Sequence, residues 1–267
     1  MKDINTISSL NDKSIQEFIN LKSFHLEKEN LICAQSEKVI LKLLKTRYKI
    51  KKLLATPEFF LEHYSLIKNK SPEIILIEAN KELLAKIIGF NHHKGVFALA
   101  EKPPFIPLDK LDNNVLVLNG LTSPENVGTL CRTASAFNIN SLIFDKKSAS
   151  PYLKRSIRVS MGNIFQLKVH LSNNLKDDLK ALKGRDYRVI GTGNEAFSKP
   201  ISTKYFHSKN ALIIGSEGHG IDLEVKALCD TVLKIQVNET VKHLNAAAAG
   251  AIFLHEVSRS ICPTKDY

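Results

Sequence analysis

Asn119-Gly120-Leu121-Thr122-Ser123-Pro124-Glu125-Asn126-Val127-Gly128-Thr129-Leu130-Cys131-Arg132 is the stretch where an apolar run gives way to a helix. The run that leads into it, Val115 to Leu121, is apolar with little alternation, as in a strand buried on both faces. Ser123 or Glu125 can begin the helix, and Asn126 falls in its first turn. From Val127 to Phe137 the pattern is helical. Strand, polar loop and helix follow one another, and in sheets built of such units ligands bind beyond the carboxyl ends of strands.

The alternation continues outward from this stretch. Further apolar runs lie at Ser141–Asp145, Phe165–His170, Tyr187–Thr192, Ala211–Gly215 and Val232–Val237. Leu175–Leu182, Leu223–Leu228 and Leu244–Ser258 are predicted helices, so residues 113–267 read as an α/β domain with a parallel sheet. Upstream, Pro103, Pro104 and Pro107 interrupt any helix and mark residues 105–112 as a linker. Residues 1–104 read as a smaller α/β unit. Its predicted helices are Asp12–Leu21, Glu37–Thr46 and Lys81–Ile88, and its predicted strands Leu31–Ala34, Ile50–Ala55, Ile74–Ile77 and Gly95–Ala100.

Composition narrows the class. The 267 residues are 43% hydrophobic, enough for a core, and carry a formal charge of +11. The excess is spread along the chain: 17 basic against 12 acidic residues in 1–105, and 21 against 15 in 106–267. Such a surface either attracts polyanions or is basic without a partner. The N-terminus has no apolar signal-like stretch. Leu244–Leu254 is too short to span a bilayer and contains Asn245. Cys33, Cys131, Cys229 and Cys262 form no C-x-x-C pair, so neither a zinc site nor a disulfide framework is signalled. The chain reads as cytoplasmic, with no membrane partner.

Three polar clusters follow predicted strands. In the first, Arg132 is either a surface cation or a clamp for phosphate or carboxylate. The second, Gly215-Ser216-Glu217-Gly218-His219-Gly220, sets a carboxylate among glycines that permit close backbone approach; an empty turn has the same pattern. The third runs from Ile235-Gln236-Val237 through His243-Leu244-Asn245 into Ala246-Ala247-Ala248-Ala249-Gly250. Four alanines and a glycine require close packing against that face by another helix, a crossing segment or a second subunit. Gly191-Thr192-Gly193 lacks the third glycine of a dinucleotide fingerprint. His92-His93 has no acidic or Cys partner nearby, and no metal site is expected.

Together, N-x-G-x-x-x-R, G-S-E-G-x-G and I-x-V…L-N-A-x-x-A-G, in this order and after strands, resemble the SpoU (TrmH-like) group of the SPOUT methyltransferases. The resemblance covers about residues 113–260. The segment before it, with Asp12-Lys13-Ser14 and Lys94-Gly95-Val96-Phe97-Ala98, is similar to the small ribosomal-protein-like RNA-binding domain that precedes many members. The resemblance implies a SPOUT-type parallel sheet with a C-terminal deep trefoil knot. It implies transfer of a methyl group from S-adenosylmethionine to a ribose 2′-hydroxyl in structured RNA, ribosomal RNA before transfer RNA. It also implies a homodimer through the methyltransferase domain, with the active site near the interface.

Residue by residue, the resemblance makes Arg132 the central catalytic residue, at the phosphate beside the target ribose or at the hydroxyl proton. Asn126 and Glu217 would order the loops around it, and Asn245 would hydrogen-bond near the reacting centre. Backbone groups of Gly215, Ile235 and Leu244 would hold the adenosine, with Thr192 and Gly193 lining the cofactor side. The family usually has Ser-Leu-Asn preceded by Ile-Pro-Met; here His243 replaces the serine. His243 can serve as donor or base, or mark a knotted RNA-binding dimer without activity. Methylation of a base instead of a ribose is a third reading. For RNA contact the candidates are Lys42, Lys45, Arg47, Lys49, Lys51 and Lys52, and the run Lys154-Arg155-Ser156-Ile157-Arg158. Each is otherwise a solvated face.

Overall fold

A computed structural model describes residues 3–19, 26, 29–88, 95–238, 240 and 243–261. The His92-His93 pair, Lys94, Cys262 and the end of the Asp12–Leu21 helix lie outside the described residues. The chain divides into two compact units, residues 1–103 with 152–165, and residues 104–151 with 166–267.

The first unit holds β1 (Ile4–Thr6), β2 (Leu31–Gln35), α1 (Glu37–Leu44), β3 (Ile50–Ala55), α2 (Pro57–Lys70), β4 (Ile75–Glu78), α3 (Lys81–Ile88) and β5 (Val96–Glu101). Its sheet has the order β1-β4-β3-β5-β2. It is mixed: β4 pairs in parallel with β1 and β3, and β5 pairs antiparallel with β2 and β3. One core gathers Ile15, Phe18, Leu54, Ile77, Leu84 and Phe97. β1 and α2 carry no clear sequence signal. α2 is weakly amphipathic, and its start is set locally by Pro57 and by the Thr56 hydroxyl, which accepts from Phe59 N at 3.4 Å. The basic run 154–158 forms the short helix Lys154–Val159, within the first unit.

The second unit holds β6 (Asn114–Asn119), α4 (Pro124–Ala136), β7 (Ser141–Asp145), β8 (Lys168–Ser172), α5 (Leu175–Lys183), β9 (Arg188–Thr192), β10 (Lys199–Pro200), β11 (Asn210–Gly215), β12 (Thr231–Lys234) and α6 (Ala246–Ile261). The seven strands are all parallel, in the order β10-β12-β9-β11-β6-β7-β8. Every residue of β6, β7 and β11 is buried, which explains their unalternating apolar sequence. On one face Val115, Val117, Ile213 and Val189 meet Leu179 and Leu182 of α5. On the other, α6 packs against α4 and β11.

That packing answers what the Ala/Gly stretch lies against. A Cβ at Gly250 would overlap Leu130 Cδ2 of α4 and reach Ile214 Cδ1 of β11 at 3.7 Å. Gly250 thus lets two helices of one chain approach closely, while Ala248 is exposed. The predicted strand Val232–Val237 ends at Lys234, and Ile235–Asn238 leave the ladder as irregular backbone. Phe165 likewise belongs to a 3-10 turn, Asn163–Gln166, and not to β8.

Candidate active site

β6 and β11 lie side by side in the sheet, and the loops that follow them stand next to each other. Ser123 caps α4 by accepting from Asn126 N at 3.3 Å, with Pro124 at the first helical position. This fixes Asn126 at the start of the helix, beside the end of β6. After β11, Ser216 and Gly220 exchange backbone hydrogen bonds of 3.1 and 2.9 Å. Gly220 takes φ of +67°, and a Cβ at Gly215 would overlap the Gly220 backbone. Only glycine therefore permits this fold-back, which presents Glu217 at its tip.

The three clusters meet. Asn126 Nδ2 donates to Glu217 Oε1. Asn245 Nδ2 donates to Asn126 Oδ1 at 3.1 Å. Asn245 Oδ1 in turn accepts from Ala247 N at 3.0 Å and Ala248 N at 3.2 Å, capping α6. Next to this chain lies a cavity of about 410 Å³ lined by Thr192, Gly193, Gly215, Glu217, Ile235, His243 and Leu244. Glu195, His219 and Phe253 line it as well, and nothing in the sequence pattern singled these out.

Arg132 stands apart. It is exposed on α4 and is not among the residues lining the cavity. It makes no ion pair with another described residue, and six helical positions after Asn126 it faces about 120° away from that residue around the axis.

Below the loops is a polar support. Asp145, at the end of β7, accepts from Asn119 Nδ2 at 2.8 Å, Gly120 N at 3.0 Å and Ser148 Oγ at 2.7 Å. Asp222 accepts from Asn119 Nδ2 at 3.1 Å and Lys147 Nζ at 2.8 Å. Hydrogen bonds from Lys147 and Asn119 hold the Asp222 carboxyl below the ordinary aspartate value, against the upward push of burial. The signal for these residues is a carboxylate closing an otherwise apolar strand. Burial pushes the thiols of Cys33, Cys131 and Cys229 up to about 12, so none is a thiolate nucleophile at neutral pH.

The SpoU rRNA methylase family model matches residues 113–255. The chain belongs to the SpoU rRNA methylase family. This SpoU chain is 31% identical to the 23S rRNA (guanosine-2′-O-)-methyltransferase RlmB of Ralstonia nicotianae, over 71% of this chain and 80% of that protein. It is 24% identical to an uncharacterised tRNA/rRNA methyltransferase of Mycobacterium bovis, over 97% and 93% of the two chains. Its fold matches an AdoMet-bound rRNA methyltransferase from Sinorhizobium meliloti, with a TM-score of 0.83 at 20% identity, covering 96% and 98%. A SpoU methyltransferase, AviRb of Streptomyces viridochromogenes, in complex with AdoMet, aligns with a TM-score of 0.80 at 21% identity, covering 95% and 100%.

The basic run of the first unit is partly neutralised. Lys49 and Lys51 face Glu101 at 3.6 and 2.6 Å, and Lys52 pairs with Glu17 at 2.6 Å. Lys42 Nζ donates to Asn163 Oδ1 at 2.5 Å. Lys45 and Arg47 are exposed and make no ion pair among the described residues. No helix among the described residues is long and apolar enough to cross a membrane.

Proposed function

We propose that this SpoU-family protein transfers a methyl group from S-adenosylmethionine to a ribose 2′-hydroxyl of RNA, ribosomal RNA before transfer RNA. The observation that carries the reading is the Glu217–Asn126–Asn245 hydrogen-bond chain set beside the cavity. It joins three separate segments of the chain at one place. The relative from Ralstonia, named a 23S rRNA 2′-O-methyltransferase, supports both the reaction and the substrate.

The cavity fits the cofactor in size and lining. A volume of about 410 Å³ lies within the range of small-ligand pockets. Ile214, Val237, Leu244 and Phe253 give it apolar walls for a purine. Ile235–Asn238 and His243–Asn245 are irregular backbone, whose amide and carbonyl groups are free of a strand ladder to meet the edge of a base. Gly215, Ile235 and Leu244 would hold the adenosine in this way, with Thr192 and Gly193 at the side of the cavity. When bound, S-adenosylmethionine supplies a methyl group already activated on a sulfonium.

What remains for the protein is to position and to move a proton. Asn126 fixes the two loops on either side of it through Glu217 and Asn245. His243 lines the cavity and accepts the ribose proton, or donates to the ribose oxygen in place of the family serine. Arg132, exposed and away from the cavity of its own chain, is free to hold the phosphate beside the target ribose. A second copy would bring such an Arg toward the site, in keeping with a homodimer through the methyltransferase domain. The C-terminal segment that follows β11 is taken to thread into the deep trefoil knot that the family resemblance implies. Residues 1–104 act as the RNA-binding domain, and the enzyme works in the cytoplasm.

The test is a calorimetric titration with S-adenosylmethionine, followed by mapping of alkali-resistant linkages in RNA exposed to the enzyme. Micromolar binding at about one site per chain and a ribose-methylated product are the expected results. No binding at millimolar cofactor overturns the enzyme reading and leaves an RNA-binding protein. A methylated base in place of a methylated ribose overturns the assigned acceptor.

A further inference from the structure

Glu195 lies in the loop that follows β9 and lines the same cavity as Thr192 and Gly193. Its carboxylate is held from three directions. Lys226 Nζ, with a side chain only 13% exposed, pairs with Oε1. Ser198 Oγ donates to Oε2 at 3.1 Å, and the amide of Glu195 donates to its own carboxylate, while Ser198 N donates to the Glu195 backbone carbonyl at 3.0 Å. Lys226 is itself fixed, its amide donating to the Asp222 carbonyl at 2.8 Å. Gly193 makes the room: a Cβ there would run into the Glu195 carboxylate. The carboxylate therefore folds back against the end of β9.

This placement has a chemical consequence. Each carboxylate oxygen has two acceptor sites. Lys226, Ser198 and the residue's own amide occupy three of these four sites, so the carboxylate keeps one. The charge is already offset by Lys226, so an ammonium gains little there, whereas neutral hydroxyls gain charge-assisted hydrogen bonds. An acceptor of compensated charge suits a neutral hydroxyl donor.

We propose that Glu195 receives the 2′-hydroxyl of the cofactor's ribose, held in place for this by Lys226, Ser198 and the absence of a side chain at Gly193. The inference rests on the cofactor reading above and adds a side-chain recognition element for the ribose to that site. It makes Glu195 a determinant of specificity for an intact ribonucleoside, with no part in the methyl transfer itself.

The test is a thermodynamic cycle measured by calorimetry on the full chain. The ligands are S-adenosylhomocysteine, its 2′-deoxy analogue and 5′-methylthioadenosine, which keeps the diol and lacks the amino-acid tail. In the wild type, loss of the 2′-hydroxyl weakens binding about tenfold, as for a hydrogen bond to a charged group. Glu195→Gln weakens S-adenosylhomocysteine and methylthioadenosine by similar factors, also about tenfold. In that variant the penalty for the deoxy analogue shrinks to about twofold, the non-additivity expected of groups in contact. Gly193→Ala, which displaces the carboxylate without changing its charge, reproduces the loss. Equal deoxy penalties in wild type and Glu195→Gln overturn the proposal while leaving the cofactor site intact. A penalty confined to S-adenosylhomocysteine, with methylthioadenosine spared, assigns the carboxylate to the ammonium instead and also overturns it. Failure of the wild type to bind S-adenosylhomocysteine at all defeats the cofactor reading and this inference together. Thermal melts of each variant separate misfolding from lost contact.

Discussion

Asn245 donates to Asn126 at 3.1 Å across 119 residues of sequence, while its own carbonyl oxygen caps α6 through Ala247 N and Ala248 N. One side chain thus starts the last helix and ties it to the start of α4. Asn126 passes the connection on to Glu217. An amide is the side chain able to do this, because it offers a donor and an acceptor at once.

Replacing Asn245 separates its two tasks. Asn245→Asp keeps the cap but loses the donor to Asn126 and sets a second carboxylate near Glu217. Asn245→Ala loses both. Urea unfolding is expected to show a loss of about 1 kcal/mol for the alanine variant from the cap alone. The aspartate variant should retain that cap contribution yet bind S-adenosylmethionine more weakly in calorimetry.

Gly250 is expected to be intolerant of any side chain. Gly250→Val forces a clash with Leu130 and should cost roughly 1–3 kcal/mol as overpacking. Pairing it with Leu130→Ala should recover part of that loss in thermal melts. Additive losses in the double variant would show that the two positions do not share this space.

Asp222 gives a pH dependence with a defined sign. Its folded-state pKa lies below the ordinary 3.8, held there by Lys147 and Asn119. The stabilisation is therefore present at neutral pH and at all pH above 3.8, and is lost as pH falls through the folded value. Asp222→Asn should lower stability at pH 7 and flatten the acid limb of a stability profile followed by circular dichroism. An acid limb unchanged by the substitution would remove Asp222 from the account.

Arg132→Ala should leave S-adenosylmethionine affinity within about twofold of wild type, because Arg132 does not line the cavity. Turnover on RNA should fall roughly a hundredfold or more, the scale for removing a charged group that positions or stabilises the reacting centre. A matching loss of cofactor affinity would place Arg132 at the cavity instead.

For RNA binding, the ion pairs of Lys49, Lys51 and Lys52 shift the weight to Lys45 and Arg47. Lys45→Ala with Arg47→Ala should weaken RNA binding and reduce the slope of log affinity against log salt by roughly 0.7–0.9 per lost phosphate contact. An unchanged slope in filter binding would move the contact elsewhere on the chain.

The α/β class and the buried parallel strands are legible in the residue pattern, because strands covered on both faces must be apolar throughout. β7 and β11 can be read within a residue for this reason, while the start of α4 was open between Ser123 and Glu125 until the structure placed the cap at Ser123. The family motifs and the residues around the cavity were legible as separate short clusters. α2 was not legible, since its apolar residues are too few and too scattered to give a helical period. The tertiary structure alone decided that Asn126, Glu217 and Asn245 form one hydrogen-bonded chain, and that Ile235 leaves its strand to line the cavity. It alone showed Gly250 against Leu130, Glu195 locked by Lys226, and three cations of the basic run already paired. Each of these is a contact between residues distant in sequence. Local propensity carries no information about which distant partner fills a space or neutralises a charge.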